Sequence, residues 1–165
     1  MRDCLSSASL RPASAADEAF LLAVYSSTRA GELDAVGWDD NQKRLFIKMQ
    51  FDAQRRCYPD GDNSIIMVDE RAAGRILVSR SDSEILLVDI SLLPEYRNAG
   101  IGTGLIQELL REAAVAGKPV RLHVLNSNPA VKLYERLEFV RIGSDGTYLE
   151  MLWTPVATRS CSTFS

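Results

Sequence analysis

The chain has 165 residues and a formal net charge of −3, and 46% of it is hydrophobic and 25% charged. These proportions are typical of one folded domain and exclude a disordered chain or a fibre. The acidic balance argues against nucleic acid as a partner, and no apolar run approaches the ~20 residues of a membrane span. Three dispersed cysteines without metal-ligand spacing predict no metal site and favour a cytoplasmic location. We expect a single domain over residues 1–154 and a flexible tail over 155–165.

The first elements along the chain are a strand and a helix. Residues 10–13 predict a short strand, and Ser14 with Asp17 three positions later is typical of a helix N-terminus. Gly31 marks the end of that helix or a bend in it. The following stretch, 31–40, is acidic and predicts a loop.

The pattern then predicts a second helix over 39–56 and a meander of three strands. The apolar stripe of this helix is predicted to consist of Leu45, Phe46, Met49 and Ala53. Short turns separate strands predicted at 64–68, 74–79 and 84–92. The third of these is the most apolar, so it should be central in a sheet.

The second half of the chain alternates helices and strands. After Gly100 a helix is predicted, with Ile101, Leu105, Leu109 and Ala113 on one face and Gly117 at its end. Asn128 with Pro129 begins another helix. Strands are predicted at 120–125, 139–142 and 147–153. The order β-α-α-β-β-β-α-β-α-β-β indicates an α/β or α+β fold with a mixed sheet.

The junction at 92–104 carries the most chemical information. A buried strand leads into a turn, and the turn begins a helix at Gly100, Gly102 and Gly104. Backbone N–H groups at a helix N-terminus, unobstructed by side chains, form an anion site. Arg97 adds a cation, so the loop is suited to hold a phosphate or pyrophosphate.

Two nucleotide-binding interpretations fit this loop less well. A dinucleotide fold places its glycines after the first strand of a βαβ unit, whereas these follow the third strand of a meander. The segment 100–104 also lacks the lysine of a P-loop. A purely structural role, in which the glycines let the helix start tightly against the sheet, remains the alternative.

The junction closely resembles the acyl-CoA-binding motif of the GNAT superfamily of N-acetyltransferases. Arg97, Gly100 and Gly102 fill its R-x-x-G-x-G pattern, and the segment 94–97 matches a common Pro-x-Tyr-Arg lead-in. The segment 128–139 resembles a second family motif, N-x-A followed by L-Y-x-x-x-G-F.

The resemblance covers residues 10–153 and departs from the family at one position. Glu138 stands where the family has glycine. If that glycine forms a left-handed helix cap, Glu138 costs roughly 1 kcal/mol of strain.

The resemblance implies a mixed, mostly antiparallel central sheet with helices on both faces, and acetyl-CoA as co-substrate. The pantetheine arm would pair with the central strand, and the pyrophosphate would meet N–H groups of the loop. The residues that would bind the cofactor are Ile90, Ser91, Leu92, Arg97, Asn98, Ala99, Gly100, Ile101, Gly102, Thr103 and Asn128.

Acetyl transfer needs a proton acceptor for the amine and a donor for the leaving thiolate. By family position Tyr134 is the candidate donor, with core packing as the alternative. His123, the one histidine of the chain, is a candidate base, because its ordinary pKa suits proton removal near neutrality. Asp89 on the central strand is another candidate base that could point away from the acceptor. Transfer through water, with no dedicated base, is the default.

The family builds its acceptor site between the first strand and the second helix. Here that region holds Glu32, Asp34 and Trp38, which could receive a cationic amine. A solvated loop, with Asp39 and Asp40 as helix-capping acids, is the alternative. We therefore expect an N-acetyltransferase acting by direct attack of a small-molecule or peptide amine, with a homodimer possible. A non-catalytic acyl-CoA-binding or sensing module is the alternative function.

Overall fold

The computed structural model describes residues 8–34 and 36–155. The strands are β1 Ala8–Pro12, β2 Asp62–Val68, β3 Arg71–Arg80, β4 Ile85–Leu92, β5 Val120–Leu125, β6 Val140–Ser144 and β7 Tyr148–Trp153. The helices are α1 Glu18–Asp34, α2 Asp40–Cys57, α3 Ile101–Ala116 and α4 Ala130–Arg136, with short 3-10 turns at Ala15–Asp17 and Pro94–Tyr96. Of the tail expected over 155–165, only Pro155 is described, and it is buried.

All seven strands belong to one mixed sheet in the order β1-β2-β3-β4-β5-β7-β6. The pairs β1–β2, β5–β7 and β6–β7 are antiparallel. The pair β4–β5 is parallel, with a register that runs from Ile85↔Val120 to Leu87↔Leu122. Each of the two strands continues beyond this paired segment. The mixed sheet confirms the predicted fold class.

The chain forms two compact units, which share β3 and β4 as strands that pass through both. The first unit comprises the chain up to Leu77 together with Asp89–Ala99. Its core is a cluster of buried side chains from α1, α2 and β2. The cluster consists of Leu21, Tyr25, Leu33, Ile47, Phe51 and Ile65.

The second unit comprises Val78–Val88 and the chain from Gly100 onward. The predicted stripe of α3 is confirmed, because Leu105, Leu109 and Ala113 are all buried. Gly117 ends the helix in the left-handed conformation, with φ +68°, as a C-terminal glycine should.

The start of α1 is held as the sequence predicts. The Ser14 N–H donates to Asp17 Oδ2 at 2.8 Å, and the Arg11 guanidinium binds the same carboxylate at 3.0 Å. The hydrogen bond from Arg11, followed by that from the Ser14 backbone, lowers the pKa of Asp17 to about 2.

Two predictions about the first unit are wrong. Helix α1 passes through Gly31 to Asp34, so the predicted loop over 31–40 is shorter. The predicted stripe of α2 is wrong at Leu45 and Met49, which are 64% and 58% exposed, whereas Phe46 packs against the core. The buried residues of this helix are Ile47 and Phe51. Two sets of apolar residues lie at helical spacing in α2, the predicted stripe and the pair Ile47 and Phe51. The pair is buried because Phe51 packs against the ring of Tyr25, with 5.5 Å between centroids.

The N-terminus of α2 agrees with the sequence. Asp39 Oδ1 accepts the Gln42 N–H at 2.8 Å, and Gln42 Oε1 accepts the Asp39 N–H in return. Within the described parts of the chain, none of the helices combines the length and apolar character needed to cross a bilayer.

Candidate functional site

Two left-handed residues shape the loop between β4 and α3. After the 3-10 turn, Asn98 has φ +61° and Gly100 has φ +83°. Glycine adopts this conformation freely, and asparagine tolerates it better than most residues. The chain thereby turns from the end of β4 into the start of α3, with Gly100 as the N-cap residue.

The N-terminus of α3 presents backbone donors and few competing groups. Its first intrahelical bond is from the Gly104 N–H to the Gly100 carbonyl at 3.0 Å, so the N–H groups of Ile101, Gly102 and Thr103 precede the hydrogen-bonded ladder. No side chain caps Gly100, and the first turn contains no acidic residue. This end of α3 therefore offers an anion-binding position.

Packing does not require glycine at three positions of this loop. A Cβ atom built on Gly100, Gly102 or Gly104 would meet no atom within 4 Å beyond its chain neighbours and the backbone of its own helix. Gly100 is explained by its positive φ, but Gly102 and Gly104 lie in the helix with ordinary φ. The space beside them is open, which argues against the purely structural role considered above.

The side chain of Arg97 makes two hydrogen bonds within the first unit. Its Nε donates to the Leu92 carbonyl at 2.9 Å, and its Nη2 donates to Ser27 Oγ on α1 at 3.3 Å. The guanidinium is thus held at the end of β4, and its role in binding a phosphate stays a prediction.

Gly74 on β3 supports the end of β4, and sequence reasoning gave it no role. A Cβ atom there would lie 2.1 Å from the Ser91 carbonyl oxygen and 3.0 Å from Leu92 Cα. The Leu93 N–H also donates to the Ala73 carbonyl at 2.8 Å. The available signal was a glycine inside a strand, which often marks a close approach of two backbones.

The side chains at the end of β4 form a polar cluster in the first unit. The hydroxyl of buried Ser91 donates to both carboxylate oxygens of Asp89 at 3.2 Å. Asp89 Oδ2 lies 3.8 Å from Nε of Arg75 on β3. Arg75 is only 1% exposed. The sequence did not single out Arg75, because an arginine in a strand usually reaches solvent.

Tyr134 and Asn128 lie in the second unit. Asn128 Oδ1 accepts the Ala130 N–H at 2.9 Å, which confirms the predicted helix cap. Tyr134 is buried and packs edge-on against Phe139, with 5.6 Å between ring centroids. Glu138 has φ +76°, so the left-handed cap expected at this position is present.

His123 lies on β5 opposite Glu150 of β7. Its side chain is 53% exposed, and its Nε2 lies 3.9 Å from Glu150 Oε2. Glu150 also binds Arg121, which pairs with Glu84 at 3.1 Å. The histidine therefore lies beside the charged side chains of Glu150 and Arg121 in the second unit.

Of the three residues predicted to receive the amine, Asp34 and Trp38 are described with their side chains. Asp34 is in the last turn of α1 and is paired with Lys43 Nζ at 2.9 Å. Trp38 packs edge-on against Phe46, at 5.2 Å, beside the core of the first unit. The backbone of Glu32 lies in α1, and its side chain is outside the described residues. The role of these residues at an acceptor site stays a prediction.

In the described part of the chain, no group of three or more His, Cys, Asp or Glu side chains could hold a metal ion.

Comparisons with other proteins place these features in a family. The model of the acetyltransferase (GNAT) domain family matches residues 60–141. This segment contains the loop between β4 and α3 and the whole of α4. Cysteine-rich protein 2-binding protein is 33% identical over 86 residues in both human and mouse. The match covers 50% of this chain and 11% of those proteins.

Solved structures share the fold over 90% of the chain. The PaiA N-acetyltransferase of Thermoplasma acidophilum, in complex with coenzyme A, has a TM-score of 0.71 at 19% identity over 99% of its chain. PH1933 of Pyrococcus horikoshii has a TM-score of 0.69 at 17% identity over 98% of its chain. A histone acetyltransferase HPA2-related protein of Corynebacterium glutamicum has a TM-score of 0.64 at 20% identity over 97% of its chain. The chain belongs to the GNAT superfamily of acetyltransferases.

Proposed function

We propose that this protein transfers an acetyl group from acetyl-CoA to a primary amine of a small molecule or peptide. The observation that carries the proposal is the open glycine turn at the N-terminus of α3. Its free N–H groups and the empty space beside Gly102 fit a pyrophosphate. The coenzyme A bound to the structurally similar PaiA enzyme supports the same cofactor here.

The loop and strand residues would divide the binding of acetyl-CoA between them. Backbone N–H groups over 98–103 would hold the pyrophosphate, and Arg97 would keep the loop against the end of β4. The backbone over 90–92 would pair with the pantetheine arm, with Asn128 as a second contact. Bound in this way, acetyl-CoA supplies an activated thioester carbonyl.

Direct attack forms the new C–N bond as the C–S bond breaks, with no acyl-enzyme. In this proposal the Leu92 N–H donates to the carbonyl oxygen as negative charge develops there. The Tyr134 hydroxyl donates to the leaving thiolate. The proton lost by the amine passes to water, and His123 is the side chain to test as a base.

Thiol release with a panel of amines tests this function directly. We expect acetyl-CoA to be consumed with at least one class of amine, and coenzyme A to compete where ATP does not. Gly100→Glu provides the inactive control, because it places a charged side chain in the proposed pyrophosphate position. Binding of acetyl-CoA without thiol release from any amine would instead indicate a non-catalytic binding module.

A further inference from the structure

A buried arginine in the first unit lacks hydrogen-bond acceptors. Arg75 donates from Nη2 to Gln54 Oε1 on α2. Its Nε and Nη1 are buried and have no hydrogen-bond partner among the described residues. The distance of 3.8 Å from Nε to Asp89 Oδ2 is too long for a hydrogen bond.

A buried guanidinium destabilises the folded state unless acceptors form hydrogen bonds with its N–H groups. Burial lowers the pKa of Arg75, and the nearby Asp89 carboxylate acts in the opposite direction. A guanidinium nevertheless stays charged in proteins. Buried charged donors without acceptors are strongly destabilising, so unpaired ones call for an additional acceptor.

A second arginine lies at the same aromatic ring. The Arg29 guanidinium carbon on α1 is 4.3 Å from the ring centroid of Tyr25, and that of Arg75 is 5.9 Å from it. Arg29 is partly buried and donates to the Thr28 hydroxyl. By contrast, Arg55 on α2 has the carboxylate of Glu18 at 3.4 Å.

The positive charge around Tyr25 therefore exceeds the negative charge. Of the described carboxylates, only Asp89 is close enough to Arg75 to count as an ion pair, and Asp89 already accepts the Ser91 hydroxyl. An added anion would supply an acceptor to the unpaired donors and reduce the repulsion between two guanidinium groups.

We propose that Arg75 and Arg29 form a subsite for a carboxylate group of the acceptor, so that the acceptor is a free amino acid rather than a simple amine. This inference rests on the proposed acetyl transfer and specifies its substrate class. It assigns the carboxylate to side chains other than Glu32, Asp34 and Trp38, which the sequence predicts to receive the amine. A planar carboxylate suits the fixed donors of a guanidinium.

Matched acceptors on the full-length chain test the subsite. Thiol release from acetyl-CoA is measured with a panel of L-amino acids and with the corresponding amino acid amides, which keep the amine and lose the negative charge. For the wild type we expect kcat/KM to be at least tenfold higher for the amino acids. In Arg29→Gln this ratio should fall about tenfold or more, as for a lost charged hydrogen bond.

Arg44→Gln is the matched control, because Arg44 is an exposed arginine of α2, and its ratio should equal that of the wild type. Arg75→Lys keeps the charge but loses the fork of donors, and it should lower the ratio in any preparation that folds. Because Arg75 variants can fail to fold, Arg29→Gln carries the test.

The outcomes separate this inference from the proposed function. Equal kcat/KM for acids and amides, or a ratio unchanged in Arg29→Gln, overturns the carboxylate subsite while acetyl transfer stands. The same conclusion follows if acetyl-CoA stabilises the chain but no amino acid in the panel is acetylated. Absence of any effect of acetyl-CoA on stability contradicts the proposed function itself.

Discussion

Replacing Gly102 by alanine should raise the stability of the free protein and weaken its binding of acetyl-CoA. A Cβ atom at this helical position meets nothing within 4 Å, so it causes no clash. Alanine is favoured over glycine inside a helix by up to about 1 kcal/mol, which raises the melting temperature by ~2–4 °C for a chain of this size. The same methyl group would occupy the space that we assign to the pyrophosphate.

The loss of affinity can be read in the same melting experiment. A ligand at ~100 times its Kd stabilises a protein by ~2.7 kcal/mol, and tenfold weaker binding leaves about 1.4 kcal/mol. The shift caused by acetyl-CoA should therefore fall to about half in Gly102→Ala. Gly104→Ala, two residues further along the helix, is the control. It should gain stability and keep most of the shift in melting temperature caused by acetyl-CoA, because the Gly104 N–H already bonds the Gly100 carbonyl. A full acetyl-CoA shift in Gly102→Ala, or a less stable free protein, would refute the reasoning.

Three further predictions concern other parts of the chain. Tyr134→Phe should lower kcat while leaving the calorimetric affinity for acetyl-CoA near that of the wild type; unchanged kcat would mean that Tyr134 only packs. Glu138→Gly should stabilise the fold by about 1 kcal/mol in thermal unfolding, because φ +76° strains any residue with a Cβ, and a lower melting temperature would contradict this. The pKa of Asp17 is about 2 in the folded chain, below its ordinary value, so its stabilising effect is present above pH 4 and is lost as the pH falls towards about 2. Asp17→Asn should therefore destabilise the protein at pH 7 and approach the wild type near pH 2, as measured by denaturant unfolding at each pH; an equal effect at both values would argue against it.

Local signals in the sequence predicted much of the fold. The stripe of α3, the capping residues Asp39 and Asn128, and the stop at Gly117 all follow from short-range chemistry. The left-handed position of Glu138 also follows from a local helix-end motif.

Features that depend on contacts between residues far apart in the sequence could not be predicted from local patterns. The buried face of α2 depends on where Tyr25 and β2 lie, so the helical spacing alone wrongly placed Leu45 and Met49 inside. The role of Gly74 depends on how closely β4 approaches β3. The burial of Arg75 depends on two helices that close over its strand, and no local pattern distinguishes it from a surface arginine.

The sequence carries a clearer signal for the loop than for the acceptor site. The loop is a continuous segment, and its glycines indicate the backbone conformation there. Acceptor residues come from separate elements, so no single motif marks them.

Thermal unfolding with acetyl-CoA, coenzyme A and ATP, each in excess, tests the central claim most directly. We predict stabilisation by several degrees with acetyl-CoA and coenzyme A, and none with ATP. Equal stabilisation by ATP would identify a general phosphate site. No shift with acetyl-CoA would contradict the assignment of the α3 loop as the binding site for the cofactor, and with it the proposed acetyl transfer.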